Sequence, residues 1–130
     1  MAAQLRMLTQ RQQSGKRAED LAAEFLRAQG CEILERNYRR RLGELDLVAR
    51  EGGVLVIAEV RTRADCGFGS AAASVDRRKQ RRITRAALQL LQQRAELARL
   101  PVRFDVLVVC DLTTPEPRIE WIRHAFEATS

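Results

Sequence analysis

The sequence predicts a single α/β domain with a mixed sheet. Three observations point there. The chain has 130 residues, enough for one domain. Two stretches with helical apolar spacing bracket three strand-like runs, and two more strand-like runs follow. The apolar share is 45% while aromatics make up 5%, so the core has to be mostly aliphatic.

Residues 1–14 are Gln-rich and weakly patterned, and read as a flexible arm or a frayed helix start. Residues 15–130 read as the domain. In "GKRAEDLAAEFLRAQ" (15–29), Ala18, Leu21, Ala22, Phe25 and Leu26 share one helical face, and Gly30 supplies a stop. At about 100° per residue, Glu19 projects beside Leu26 at the rim of that face, while Asp20 and Glu24 point away.

Strands are predicted over 31–38, 43–50 and 53–62. The "EGG" between the last two is a hairpin signal. Arg39, Arg40 and Arg41 form a basic cluster between the first two strands. "DCGFGS" (65–70) reads as a flexible loop. Ser74 is the expected cap of a helix from Val75 to Leu97, buried along Val75, Ile83, Ala86, Ala87 and Leu90. Its first turns carry Arg77, Arg78, Lys79, Arg81, Arg82 and Arg85. Lys79 falls inside the buried stripe, where a packed stem with the head reaching to water is the expected state. Strands follow at 102–109 and 118–122, and "HAF" packs the tail. The predicted order is α-β-β-β-α-β-β, in two or three layers.

The formal charge is +6 and the pI about 10.2, which suits a polyanionic partner. All but two of the 23 basic residues are Arg, spread along the chain. That spread suits a general coding bias better than a dedicated phosphate site. The three cysteines are far apart, and His124 is the lone histidine, so the spacing argues against zinc. No stretch approaches a membrane span, and the N-terminus lacks a signal core. A cytoplasmic protein of a reducing compartment is expected.

The chemistry sits on the hairpin. Glu44, Asp46 and Val48 are expected on one face of their strand; Leu55, Ile57, Glu59, Arg61 and Arg63 share a face of the next. Pairing through "EGG" sets Asp46 near Glu59. Two neighbouring carboxylates repel unless a cation lies between them. A hard ion such as Mg²⁺ suits oxygen ligands, and Glu19 is placed to contribute a third. The plainer alternative is solvated strand-end carboxylates, with Arg61 neutralising Glu59.

The set Asp46, Glu59, one residue, then a base resembles the PD-(D/E)xK nuclease signature. More fully, "GKRAEDLAAEFL", "ILERNYRRRLGELDLVAR", "EVRTR", "VDRRKQRRITRAA" and "RFDVLVV" resemble the bacterial YraN-like family of predicted endonucleases. That family is related to the archaeal Holliday junction resolvases. The resemblance runs from about Gly15 to Phe126. It implies a restriction-endonuclease-like core, a mixed central sheet flanked by helices, and metal-dependent hydrolysis of DNA, branched or structured. It implies catalytic roles for Glu19, Asp46, Glu59 and Arg61. Asp46, Glu59 and Glu19 would hold Mg²⁺ or Mn²⁺, with the Val60 carbonyl a further ligand. Glu44 matches the family's GE-x-D motif without a separable role. Arg39, Arg40, Arg41, Arg63, Arg78, Lys79 and Arg82 are the expected DNA contacts, and a homodimer is expected by analogy.

At position 61 the family has lysine and this chain has arginine. Arginine binds phosphate well but cannot act as a base. Three functions stay open: a working nuclease in which Arg61 supplies charge alone, a DNA-binding domain that does not cut, and a protein-interaction module. Lys79 reaching the site would compensate. Tyr38 and Phe68 are the sole stacking candidates near the basic groups, so backbone and shape recognition is expected over base readout. Trp121 and His124 read as packing of the C-terminal edge.

Overall fold

The apolar residues of the strands alternate between two buried faces, and this requires cover on both sides of the sheet. The computed structural model describes residues 10–64 and 75–129. Its elements are α1 (Gln10–Ala28), β1 (Glu32–Arg40), β2 (Gly43–Glu51), β3 (Val54–Arg63), α2 (Arg77–Gln93), β4 (Val102–Cys110) and β5 (Arg118–Phe126). The five strands lie in sequence order. β3 and β4 are parallel, joined through α2, and the other neighbours are antiparallel. Helix α1 covers one face through Ala18, Ala22, Ala23 and Leu26, packed on Leu47, Ala49, Val56, Ala58, Leu107 and Val109. Helix α2 covers the other through Ile83, Ala86, Ala87 and Leu90, on Leu45, Val48, Leu55, Ile57, Val106 and Val108. Three layers result.

Helix α1 starts at Gln10, earlier than the apolar pattern predicts. It ends as expected: Gly30 takes φ 93°, Cys31 N–H donates to the Leu26 carbonyl and Gly30 N–H to Arg27. That is the paired Schellman closure. Gly52 turns the β2–β3 hairpin at φ 58°.

Helix α2 is shorter than predicted at both ends. Its N-cap is Asp76, whose carboxylate accepts from the Lys79 N–H at 2.8 Å. It stops at Gln93, and Leu97 is buried from a turn instead. Strand β5 takes in the "HAF" segment and ends at Phe126. A bulge lies opposite Asp105, and His124 sits at φ 55°. The expected loop at 65–70, the Ser74 cap and Phe68 lie outside the described residues. Cys31 is a free buried thiol. No helix among the described residues is long and apolar enough to cross a membrane.

One glycine decides how α2 meets the sheet. A Cβ on Gly43 would lie 2.1 Å from the Arg82 carbonyl oxygen and 2.8 Å from its carbon. Only a residue without a side chain lets the β1–β2 turn press against the helix backbone here.

Candidate functional site

The sheet forks between β2 and β3. Their ladder runs from the hairpin back to Leu47 opposite Ala58 and ends there. β3 continues along β4 to Arg63. Beyond the fork the Val60 N–H has no β2 carbonyl to meet. It donates instead to Asp46 Oδ2 at 2.9 Å. Residue 46 is registered in neither of β2's ladders, and Asn37, which lies opposite between Tyr38 and Arg36, has φ 51°. Strict alternation also breaks here: Leu45 and Val48 both lie in the α2-side core, whereas Leu47 lies on the α1 side. This local irregularity turns the Asp46 side chain toward Glu59.

Glu59 continues the α2-side face of β3 after Leu55 and Ile57, and is 6% exposed. Its carboxylate is hydrogen-bonded to Asp46. Lys79 Nζ, from the first turn of α2, reaches Glu59 Oε2 at 2.7 Å. The lysine head therefore enters the site and does not turn to solvent as its stem position suggested. Burial, the Glu59 hydrogen bond and the Glu59 charge push the Asp46 carboxyl up to about 8, against the opposing Val60 N–H and Lys79. Burial works to lower the Lys79 pKa, but the hydrogen bond and charge of Glu59 outweigh it and the net shift is upward. The Asp46 carboxyl thus holds its proton more tightly than a free carboxyl, while the Lys79 ammonium faces its neighbour Glu59.

Arg61 lies two residues further along the same face of β3, half-buried and within electrostatic reach of Lys79. It does not neutralise Glu59; Lys79 does. Among the described residues it has no hydrogen-bond or ion-pair partner.

Glu19 is placed differently from the expected third ligand. Its Oε1 accepts from Arg36 Nε at 3.0 Å and Asn37 Nδ2 at 2.8 Å. Arg36 also binds Asp20. Glu19 thus belongs to the α1–β1 seam, tied to the residue opposite Asp46. No group of three His, Cys, Asp or Glu suited to a metal occurs among the described residues. Two hard carboxylates still fit a divalent ion of the Mg²⁺ type, which keeps several waters and uses one or two protein carboxylates. Glu44 is outside this pair; it is exposed, 3.8 Å from Arg39.

The predicted basic residues separate by role. Arg39, Arg41, Arg63, Arg78 and Arg82 are exposed. Arg40 lies over the ring of the buried Tyr38, 3.9 Å from its centroid. Lys79 is committed to Glu59.

Asp105, to which no sequence motif assigns a role, is fully buried. Arg103 holds both its oxygens, Trp121 Nε1 donates to it at 2.8 Å and the His124 N–H at 2.9 Å. Arg103 also binds Glu51. Its side chain lies on the α1 side of the sheet, away from Glu59, and every oxygen has a donor. This cluster secures the β4–β5 bulge. A charged residue within the apolar strand "VRFDVLVV" was the signal available for it.

A family profile, that of the uncharacterised protein family UPF0102, matches residues 18–109. The chain belongs to this family. Those residues carry the fork, the carboxylate pair and Lys79. Among its UPF0102 relatives, a protein of Cupriavidus taiwanensis is 50% identical over 121 residues, covering 91% of this chain and 86% of the relative. One from Alkalilimnicola ehrlichii is 46% identical over 116 residues, covering 89% and 88%. One from Pseudomonas aeruginosa is 45% identical over 116 residues, covering 88% and 92%. Each of these matches covers 88% or more of this chain.

Proposed function

We propose that this chain is a metal-dependent endonuclease that hydrolyses DNA phosphodiesters, on a restriction-endonuclease-like core, as a cytoplasmic protein. The observation that carries the reading is the joint placement of Asp46, Glu59 and Lys79 at the fork. Asp46 and Glu59 would hold Mg²⁺ or Mn²⁺, an ion that polarises a phosphate and acidifies a bound water.

The chain's own residues supply the rest. The Val60 N–H orients Asp46. Lys79 holds Glu59 and places positive charge where negative charge develops on the phosphate. Arg61, with no partner of its own among the described residues, is free to bind a phosphate oxygen. Its inability to act as a base is tolerable if the ammonium of Lys79 and the metal carry the site. The upward shift of Asp46 supports this, because a proton held there is what a divalent ion would displace.

A second reading is favoured by Arg61 itself: the domain binds DNA without cutting. The test is a cleavage assay on duplex, single-stranded and branched DNA with Mg²⁺ or Mn²⁺. The nuclease reading expects cutting by the wild type, abolished in Asp46→Ala and Lys79→Met. Cutting by Arg61→Lys but not by the wild type would establish the second reading. No cutting by either overturns the nuclease. A homodimer, which would set two sites against two strands, is checked by light scattering of the same samples.

A further inference from the structure

We infer that the hollow between the β1–β2 turn and the outer face of α2 docks an acidic protein segment carrying one large apolar side chain. Three features meet there. Leu42 in the turn is 52% exposed and Leu88 on α2 is 55% exposed, and these are the exposed large hydrophobic residues among those described. Both line one hollow of about 310 Å³, together with Arg85, Gln89 and Gln92. Among the described residues, Gln89 Oε1 is the buried side-chain polar atom without a hydrogen-bond partner.

A single exposed leucine is ordinary. Two leucines from segments far apart in sequence, lining the same hollow, form a patch. The hollow is built into the fold, because the close approach of Gly43 to the Arg82 backbone holds the turn against the helix. A cavity of about 150 Å³ admits a benzene ring, so this one has room for an aromatic or branched side chain. A buried acceptor left unpaired costs free energy. A backbone N–H or hydroxyl brought by the partner satisfies Gln89 Oε1 as the leucines are covered.

The rim fixes the sign of the partner. Arg41, Arg82 and Arg85 are exposed. Among the described residues they have no carboxylate partner, whereas Arg36, Arg94, Arg103, Arg118 and Arg123 each have one. Asp and Glu flanking the apolar anchor complement those guanidinium groups and orient the segment. A second copy of the chain fits less well. A two-fold contact sets one patch against itself, and the three arginines would then face like charges. A DNA duplex meets the arginines, but its phosphates give the two leucines no apolar surface to bury against. The hollow is also apart from the fork: Leu88 lies nine residues past Lys79, about 13.5 Å along the helix. The inference goes beyond the nuclease reading and does not depend on it.

The test starts with a displayed library of random linear peptides, selected on the wild-type protein after depletion on Leu42→Ser with Leu88→Ser. Enriched peptides are expected to carry a Leu, Ile, Phe or Trp among Asp and Glu. One of them, synthesised and labelled, is then titrated by fluorescence anisotropy. Leu88→Ser is expected to bind it about tenfold more weakly than the wild type, and Arg85→Gln about threefold. Gln89→Met is expected to bind it more weakly yet to resist urea at least as well as the wild type, since an unpaired acceptor has gone. Arg17→Gln, at an exposed position on α1, is expected to bind it as the wild type does. Enrichment of no peptide, or of peptides without acidic residues, would overturn the inference. Binding of a labelled DNA duplex that falls about tenfold in Leu42→Ser with Leu88→Ser would overturn it too, because the leucines would then serve DNA. A dimer in light scattering that Leu88→Ser abolishes would give the hollow to a second copy and overturn it as well.

Discussion

Replacing Gly43 by alanine tests how the turn, the helix and the site depend on each other. The added Cβ would sit 2.1 Å from the Arg82 carbonyl oxygen, and ordinary contact begins near 3.4 Å. Turn and helix then have to separate by about 1 Å, since both obstacles are backbone and no rotamer change relieves them. Overpacking of this kind costs about 1–3 kcal/mol, and a backbone obstacle argues for the upper end. Lys79 lies about 4.5 Å along the helix from Arg82. If the displacement is shared, its 2.7 Å contact with Glu59 lengthens past hydrogen-bonding distance. The assay is urea denaturation of wild type, Gly43→Ala and Gly53→Ala, the last facing open space. Gly43→Ala is expected to lose about 2–3 kcal/mol and Gly53→Ala far less. A Gly43→Ala protein within about 0.5 kcal/mol of wild type would refute the close-approach argument.

Other outcomes follow from the same contacts. The folded state raises the Asp46 pKa from 3.8 to about 8, so the proton is held more tightly in the folded chain. Its contribution is full below 3.8 and is lost as pH rises through about 8, by at most about 1.4 kcal/mol per pH unit. Metal-free stability should therefore fall across that window in the wild type and much less in Asp46→Asn, measured by denaturation at a series of pH values. Asp105→Ala leaves Trp121 Nε1 and the His124 N–H without their acceptor and should cost about 3 kcal/mol or more in the same assay. A loss below about 1 kcal/mol would show the β4–β5 bulge does not depend on it. Asp76→Ala removes the cap of α2 and should cost about 1 kcal/mol. It should also broaden the NMR signals of the first turn, including Lys79, and unchanged signals would sink that link.

The element order and both helix faces were legible in the sequence because each rests on local periodicity. Ala18, Ala22 and Leu26 recur at helical spacing, and Leu55 and Ile57 alternate with Val54, Val56 and Ala58. The "EGG" turn sets a register that, extended, puts Asp46 across from Glu59, although the ladder itself stops one pair short, at Leu47 and Ala58. Gly30 as the stop of α1 was equally readable, since only the residue at that point needs a positive φ. The boundaries of α2 were not, because the competing cap, Asp76, becomes apparent only when the Lys79 N–H is seen to point at it.

The site divides in the same way. The sequence by itself put Asp46 and Glu59 on neighbouring strands of one hairpin, and the arginine at position 61; the end of the ladder and the Val60 N–H then fix how the two carboxyls meet. Lys79 lies beyond what local patterning can settle: helical angle placed its stem correctly, but whether the head leaves for water or enters the fork depends on what the sheet presents to it. Glu19 shows the converse. Its angle put it at the rim of α1, and only the packing of α1 on β1 gave it to Arg36 and Asn37. The fork itself is tertiary, because it exists where one ladder ends and the next continues. A buried charge needs a partner, and the partner is chosen by whichever element packing brings within reach.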